Sequence, residues 1–121
     1  MILDDDPDIV TILKQGLTRD GFHVVAFTDP ISTLEHFRLN HKDYDLVISD
    51  IRMPQMNGFE FIKKVKEINA IVKVFFMTAF EIDDVEWSNV FPSIKIDEFI
   101  QKPITLEKIR KLVLTHFPIQ H

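Results

Sequence analysis

LVISDIRMPQMNG, Leu46 to Gly58, is an apolar run that ends abruptly on one carboxylate, Asp50, and then turns through Met53 and Pro54 to a glycine. Its unbroken apolar character from Leu46 to Ser49 fits a strand covered on both faces, as in a parallel sheet. An acidic residue at the carboxyl end of such a strand stands where open α/β sheets place their chemistry, in the crevice above the strand ends. Aspartate is also an ordinary turn residue. The choice between a working residue and a turn residue therefore rests on what the flanking sequence brings to the same edge.

Towards the amino terminus, Met1, Ile2 and Leu3 form a very short apolar run that meets Asp4, Asp5 and Asp6, followed by Pro7 and Asp8. A strand runs here straight into a helix start. Asp6 suits the cap, Pro7 the first helical position and Asp8 the positive end of the helix dipole. Ile9, Leu13 and Leu17 keep one apolar face as far as Gly21, where a left-handed residue can end the helix. Phe22 to Phe27 reads as a second strand, and Thr28, Asp29 and Pro30 repeat the cap-then-proline signal for a helix with Ile31, Leu34 and Phe37 on its inner face.

Beyond Gly58, the residues Phe59, Ile62, Val65 and Ile68 recur at helical spacing with charged residues between them. Lys73 to Met77 is a strand ending on Thr78. A helix is expected near 85–91, stopped by Pro92. Asp97 to Gln101 forms a short strand leading into Lys102 and Pro103. Thr105 then caps a final helix whose face is Leu106, Ile109, Leu112, Val113 and Phe117. Strands alternating with helices imply right-handed crossovers and a parallel sheet. The expectation is a doubly wound α/β fold, (βα)5, with a five-stranded parallel sheet in a three-layer sandwich. It is expected to form one domain over residues 1–121.

Composition narrows the function. The 121 residues contain no cysteine, which removes disulfides, thiolate metal sites and thiol nucleophiles. Fourteen Lys and Arg against nineteen Asp and Glu leave a net charge of −5, which argues against direct nucleic-acid binding, a process driven by clustered basic residues. No apolar run approaches the roughly 20 residues of a membrane span. MILDDD is acidic where a signal peptide would be basic. A cytoplasmic protein without membrane contact is expected, and its output passes through protein contacts.

A parallel sheet gathers the carboxyl ends of all its strands on one edge. Asp4 and Asp5, Asp50, Thr78 and Lys102 would converge there. Singly, each has an ordinary explanation as a cap, a turn hydroxyl or a surface charge. Together, three carboxylates in one crevice repel by about 4 kcal/mol per pair at about 4 Å with an effective dielectric near 20, so the site favours a divalent cation. An all-oxygen, water-accessible site suits Mg²⁺. Asp50 can then act as a nucleophile towards a phosphoryl group, with Mg²⁺, Lys102 and Thr78 stabilising the phosphoryl oxygens. His23, His36, His41, His116 and His121 are scattered without ligand spacing.

In this order and spacing, MILDDDPD, SDIRMPQMNG, MTA and the Lys-Pro of FIQKP make the chain resemble the receiver domain of two-component response regulators over essentially its whole length. The resemblance implies the strand order 2-1-3-4-5, and that Asp50 takes a phosphoryl group from the phosphohistidine of a sensor histidine kinase or phosphotransfer protein. Asp5 would bind Mg²⁺ directly and Asp4 through water, with Asp50 and the backbone carbonyl of Arg52 completing the protein ligands. Thr78 and Lys102 would contact the phosphate, and the Lys102–Pro103 peptide would be cis. Thr78 and Phe99 would form the switch acting on a downstream protein target or effector domain, in a monomer or a phosphorylation-dependent dimer. Arg52 and Phe80 would flank the path of the hydrolytic water and, lacking a carboxylate or amide, would leave the phosphorylated form long-lived.

The sequence departs from the family pattern in two places. The first strand is one or two residues short, and 80–96 carries Trp87, Phe91 and Pro92 in place of small residues. Two other function classes compete. In a haloacid-dehalogenase-type hydrolase, the nucleophile would lie in an Asp-x-Asp pair such as Asp4 and Asp6, although 121 residues leave no room for a substrate cap. A receiver-like adaptor would never be phosphorylated.

Overall fold

The computed structural model describes residues 1–79 and 94–118. Five strands form one sheet: β1 (Ile2–Leu3), β2 (Ala26–Phe27), β3 (Leu46–Asp50), β4 (Lys73–Thr78) and β5 (Glu98–Gln101). All pairings are parallel and the order is β2-β1-β3-β4-β5, the doubly wound arrangement expected. The helices described are α1 (Pro7–Arg19), α2 (Pro30–Asn40), α3 (Gly58–Ile68) and α4 (Leu106–His116). The helix expected near 85–91, with Trp87, lies outside the described residues.

The two-residue period of the central strands divides the core into two layers. Leu3, Val47, Val74 and Phe76 face α2 and α3, where they meet Leu34, Phe37, Phe61, Ile62 and Val65. Ile2, Ile48, Phe75 and Met77 face α1 and α4, where they meet Val10, Leu13, Leu17, Ile109 and Val113. Phe75 and Phe76 are both fully buried, one in each layer. That double burial is why β3 and β4 read as continuous apolar runs rather than as alternating ones.

The caps follow the sequence signals. Asp6 accepts from the Asp8 amide at 2.9 Å, Asp29 from Ser32 at 2.8 Å and Thr105 from Lys108 at 3.2 Å. Gly21 follows α1 with φ +94°, a left-handed value that any side chain would resist. Asn57 adds a cap the motif reading passed over, accepting from Glu60 at 2.9 Å.

Three expectations are corrected. The strand expected over Phe22 to Phe27 forms a ladder only at Ala26–Phe27, because β1 offers just Ile2 and Leu3 as partners. Phe22 and Val24 nevertheless pack on one layer and Val25 and Phe27 on the other, so the alternation survives without the pairing. Ile31 is 49% exposed, and the inner face of α2 is Pro30, Thr33, Leu34 and Phe37. In α3 the buried stripe is Gly58, Phe61, Ile62 and Val65, with Phe59 and Ile68 only partly buried at its sides.

At the amino edge of the sheet a cavity of about 230 Å³ is lined by Leu17, Phe22, Leu46 and Val113, with Met1 and Phe117 also on its wall. Asp43 and Asp45 also line it, whereas Asp4, Asp5 and Asp50 lie at the opposite edge. No helix among the described residues is long and apolar enough to cross a membrane.

Candidate phosphoacceptor and metal site

Each of the central strands delivers one group to the carboxyl edge. Asp4 follows β1 directly, Asp50 is the last residue of β3, Thr78 is the last of β4, and Lys102 follows β5. Backbone bonds hold these ends together. The Asp4 amide donates to the Phe27 carbonyl at 3.2 Å, Ile51 to Met77 at 3.3 Å, and Lys102 to Thr78 at 2.6 Å. The Lys102–Pro103 peptide is cis.

Asp4 is fully buried and Asp50 is 5% exposed, whereas Asp5 is exposed at the mouth. One carboxylate oxygen from each of the three lies within 4.8 Å of the others. The Lys102 ammonium stands between the two buried carboxylates, 3.0 Å from Asp4 Oδ2 and 3.4 Å from Asp50 Oδ2. The other two oxygens are held by backbone: Asp4 Oδ1 accepts from the Asp6 amide at 2.8 Å, and Asp50 Oδ1 from the Ile51 amide at 2.9 Å. These backbone donors have no sequence signature, because any residue at 6 or 51 other than proline could supply them.

Burial and the neighbouring Asp4 charge push the Asp50 carboxyl up to about 6, against the attraction of Lys102. Burial also raises Asp4, against the Asp6 amide and the Lys102 ammonium. Burial pulls Lys102 down, but the two carboxylates outweigh it and leave the ammonium above its usual range. One cation shared by three carboxylates leaves the cluster at −2 when all are ionised. Among the described residues the buried Asp4 Oδ2, though close to Lys102, finds no hydrogen-bond partner of acceptable geometry. An under-satisfied buried carboxylate oxygen in an all-oxygen, net-negative cluster fits a hard divalent cation such as Mg²⁺.

The remaining expected site residues are less concentrated. Thr78 is buried at the end of β4, one residue beyond Met77, the register partner of Asp50. Phe99 lies on β5 opposite Phe76, 41% exposed, with ring centroids 6.1 Å apart. Arg52 is exposed on the turn after β3. Phe80 lies outside the described residues. Asp6 is committed to capping α1 through Asp8, which removes one carboxylate from the Asp4 and Asp6 pair that the hydrolase reading requires.

Among the described residues no histidine joins this cluster, and His121 lies outside them. His36 bonds the Tyr44 hydroxyl. His116 bridges Glu98 at 3.0 Å and Lys73 at 3.1 Å.

The family model for the response regulator receiver domain matches residues 1–114. The transcriptional regulatory protein ZraR of Klebsiella oxytoca is 34% identical over 110 residues, which span 91% of this chain and 24% of that protein. The response regulator receiver protein CpdR of Brucella abortus is 34% identical over 80 residues, spanning 66% of this chain and 65% of its own length. The chain thus covers less than two thirds of either relative. Among solved structures, the CheX-CheY-BeF3-Mg+2 complex of Borrelia burgdorferi matches with a TM-score of 0.82 at 24% identity, over 98% of this chain and 87% of that one. Match and geometry agree, since the carboxylates, the threonine and the lysine that the motifs single out meet on one sheet edge: the chain belongs to the response regulator receiver domain family, whose members are phosphotransfer switches of two-component signalling.

Proposed function

We propose that Asp50 is the phosphoacceptor of this receiver, taking a phosphoryl group from the phosphohistidine of a sensor histidine kinase or phosphotransfer protein. The observation that carries the reading is the Lys102 ammonium placed between two buried carboxylates at a strand end, 3.0 Å from Asp4 and 3.4 Å from Asp50. An Asp50 oxygen attacks phosphorus and the bond from phosphorus to the imidazole nitrogen breaks; that nitrogen keeps the electron pair, and the proton on the donor ring's other nitrogen makes the leaving group a neutral imidazole. The product is an acyl phosphate on Asp50 and a neutral histidine on the donor.

The residues of this chain divide the work. Burial raises the carboxylate's proton affinity, so Asp50 is the more basic oxygen nucleophile once ionised. Lys102 and Thr78 flank the position the phosphoryl oxygens would take and stabilise the charge that gathers on them. Asp5 and Asp50, with Asp4 through water and the Arg52 carbonyl, would hold Mg²⁺, which supplies further charge neutralisation when bound. In its own phosphorylation and dephosphorylation the domain acts as a single-use catalyst. Thr78 and Phe99 pass the change to a protein target or effector domain by shifting an existing equilibrium. Arg52 beside the phosphoryl group, with Phe80, gives slow hydrolysis, since neither side chain can orient a water as a base.

The test is intact-mass measurement after incubation with acetyl phosphate and Mg²⁺. One phosphoryl adduct per chain is expected in the native protein and none in Asp50→Asn. An equal adduct in Asp50→Asn, or none in the native chain, removes the proposal; the second outcome is that of an adaptor that is never phosphorylated.

A further inference from the structure

Gly58 opens α3, eight residues after Asp50 in sequence, yet it touches the backbone of Asp50 itself. A methyl group added to Gly58 would overlap the Asp50 carbonyl oxygen and stand 2.6 Å from Ile51 Cα and 3.2 Å from the Asp50 carbonyl carbon. All three are backbone atoms at the end of β3, so no side-chain rotation relieves the overlap. The Gly58 amide also donates to the Ile51 carbonyl at 2.5 Å. On its other side the same Ile51 residue donates its amide to Asp50 Oδ1 at 2.9 Å and to the Met77 carbonyl at 3.3 Å. The Asp50–Ile51 backbone is thus gripped from two sides, by β4 and by the first residue of α3, with the Asn57 side chain holding that helix start through the Glu60 amide.

We infer that Gly58 is a positioning residue for phosphoryl transfer: its missing side chain lets α3 clamp Ile51, and the clamped Ile51 amide aims the Asp50 carboxylate. The inference rests on Asp50 being the phosphoacceptor. A methyl group at 58 must push the Asp50–Ile51 peptide away from the helix, which moves the Asp50 carboxylate and, through Ile51, the Arg52 carbonyl. A displacement of about 1 Å at a reacting group can cost on the order of 100-fold in rate. Gly16 offers the contrasting case. The three atoms nearest a methyl group there all belong to the end of the Leu106 side chain, with Cγ at 2.8 Å, in the contact between α1 and α4 and away from Asp50.

The experiment compares the native chain, Gly58→Ala, Gly16→Ala and a variant with one glycine inserted between Gln55 and Met56, which keeps Gly58 but slackens its tether to β3. Each is assayed well below its unfolding midpoint for acetyl phosphate uptake at saturating donor and for Mg²⁺ affinity, per folded chain. Gly58→Ala and the insertion should each lose roughly 10- to 100-fold in the maximal uptake rate and several-fold in Mg²⁺ affinity. Gly16→Ala should lose stability while keeping both. Native uptake in a folded Gly58→Ala overturns the inference, as does equal damage in Gly16→Ala. Where Gly58→Ala does not fold, the insertion decides, and native uptake there overturns it. A native chain that takes no phosphoryl group instead overturns the reading of Asp50.

Discussion

Asp50 is buried among charges that do not balance, and this has a measurable cost before any chemistry begins. Its carboxyl is raised from the ordinary 3.8 to about 6. A raised carboxylate favours the folded state while protonated, so its contribution is fully present below about pH 4 and is lost as the pH climbs through 6. Asp50→Asn should therefore stabilise the metal-free protein at pH 7, by on the order of 2 kcal/mol, and the gain should fade as the pH falls towards 4. Thermal denaturation of both chains at several pH values checks this, and a gain that grows on acidification would contradict it. The position of Asp50 was legible from an apolar run ending on a carboxylate, and that of Lys102 from the Lys-Pro pair. The Ile51 amide on Asp50 and the closeness of Gly58 were not, since backbone groups carry both.

Helix periodicity showed where the helices are more reliably than which residues they bury. In α3, a reading centred on Phe59 and Ile62 missed Phe61, which is fully buried against the sheet while Phe59 stays at the side. Two phenylalanines two residues apart cannot share one helical face, and the packing decides between them: Phe61 is wholly enclosed in the layer, whereas Phe59 reaches Phe76 edge-on at 5.5 Å from the side. Phe61→Ala should cost about 3–5 kcal/mol and Phe59→Ala less than half of that, measured by urea unfolding. Comparable losses would mean that the helix is turned from the orientation described. The contraction of β2 to Ala26–Phe27 has a similar origin, since a strand's propensity cannot report how many residues its neighbour offers.

The parallel sheet was legible because repeated strand-helix units leave few topologies, whereas the order of its strands came with the family resemblance; the parallel direction carries the site residues to one edge. There Mg²⁺ should act as a ligand of the folded state. At a concentration about ten times its dissociation constant it should add roughly 1.4 kcal/mol, a rise on the order of 5 °C in midpoint. Asp5→Asn should lose most of that rise, because Asp5 is the exposed carboxylate at the mouth of the cluster. An unchanged shift in Asp5→Asn would exclude it as a ligand.

Met1 and Phe117 share the wall of one cavity, at the edge of the sheet furthest from Asp50. A partner joined at Met1 or just beyond Phe117 therefore starts from the same pole, away from the crevice that holds Asp50. The domain can be read as a cassette with both leads on its rear panel, indifferent to whether cargo is attached upstream or downstream. A bulky folded protein fused before Met1, or directly after Pro118 through a flexible linker, should leave the rate of acetyl phosphate uptake within about twofold of the free chain, because neither Met1 nor Phe117 borders the transfer chemistry. A fusion at one side that blocks uptake would show that the two poles are not independent.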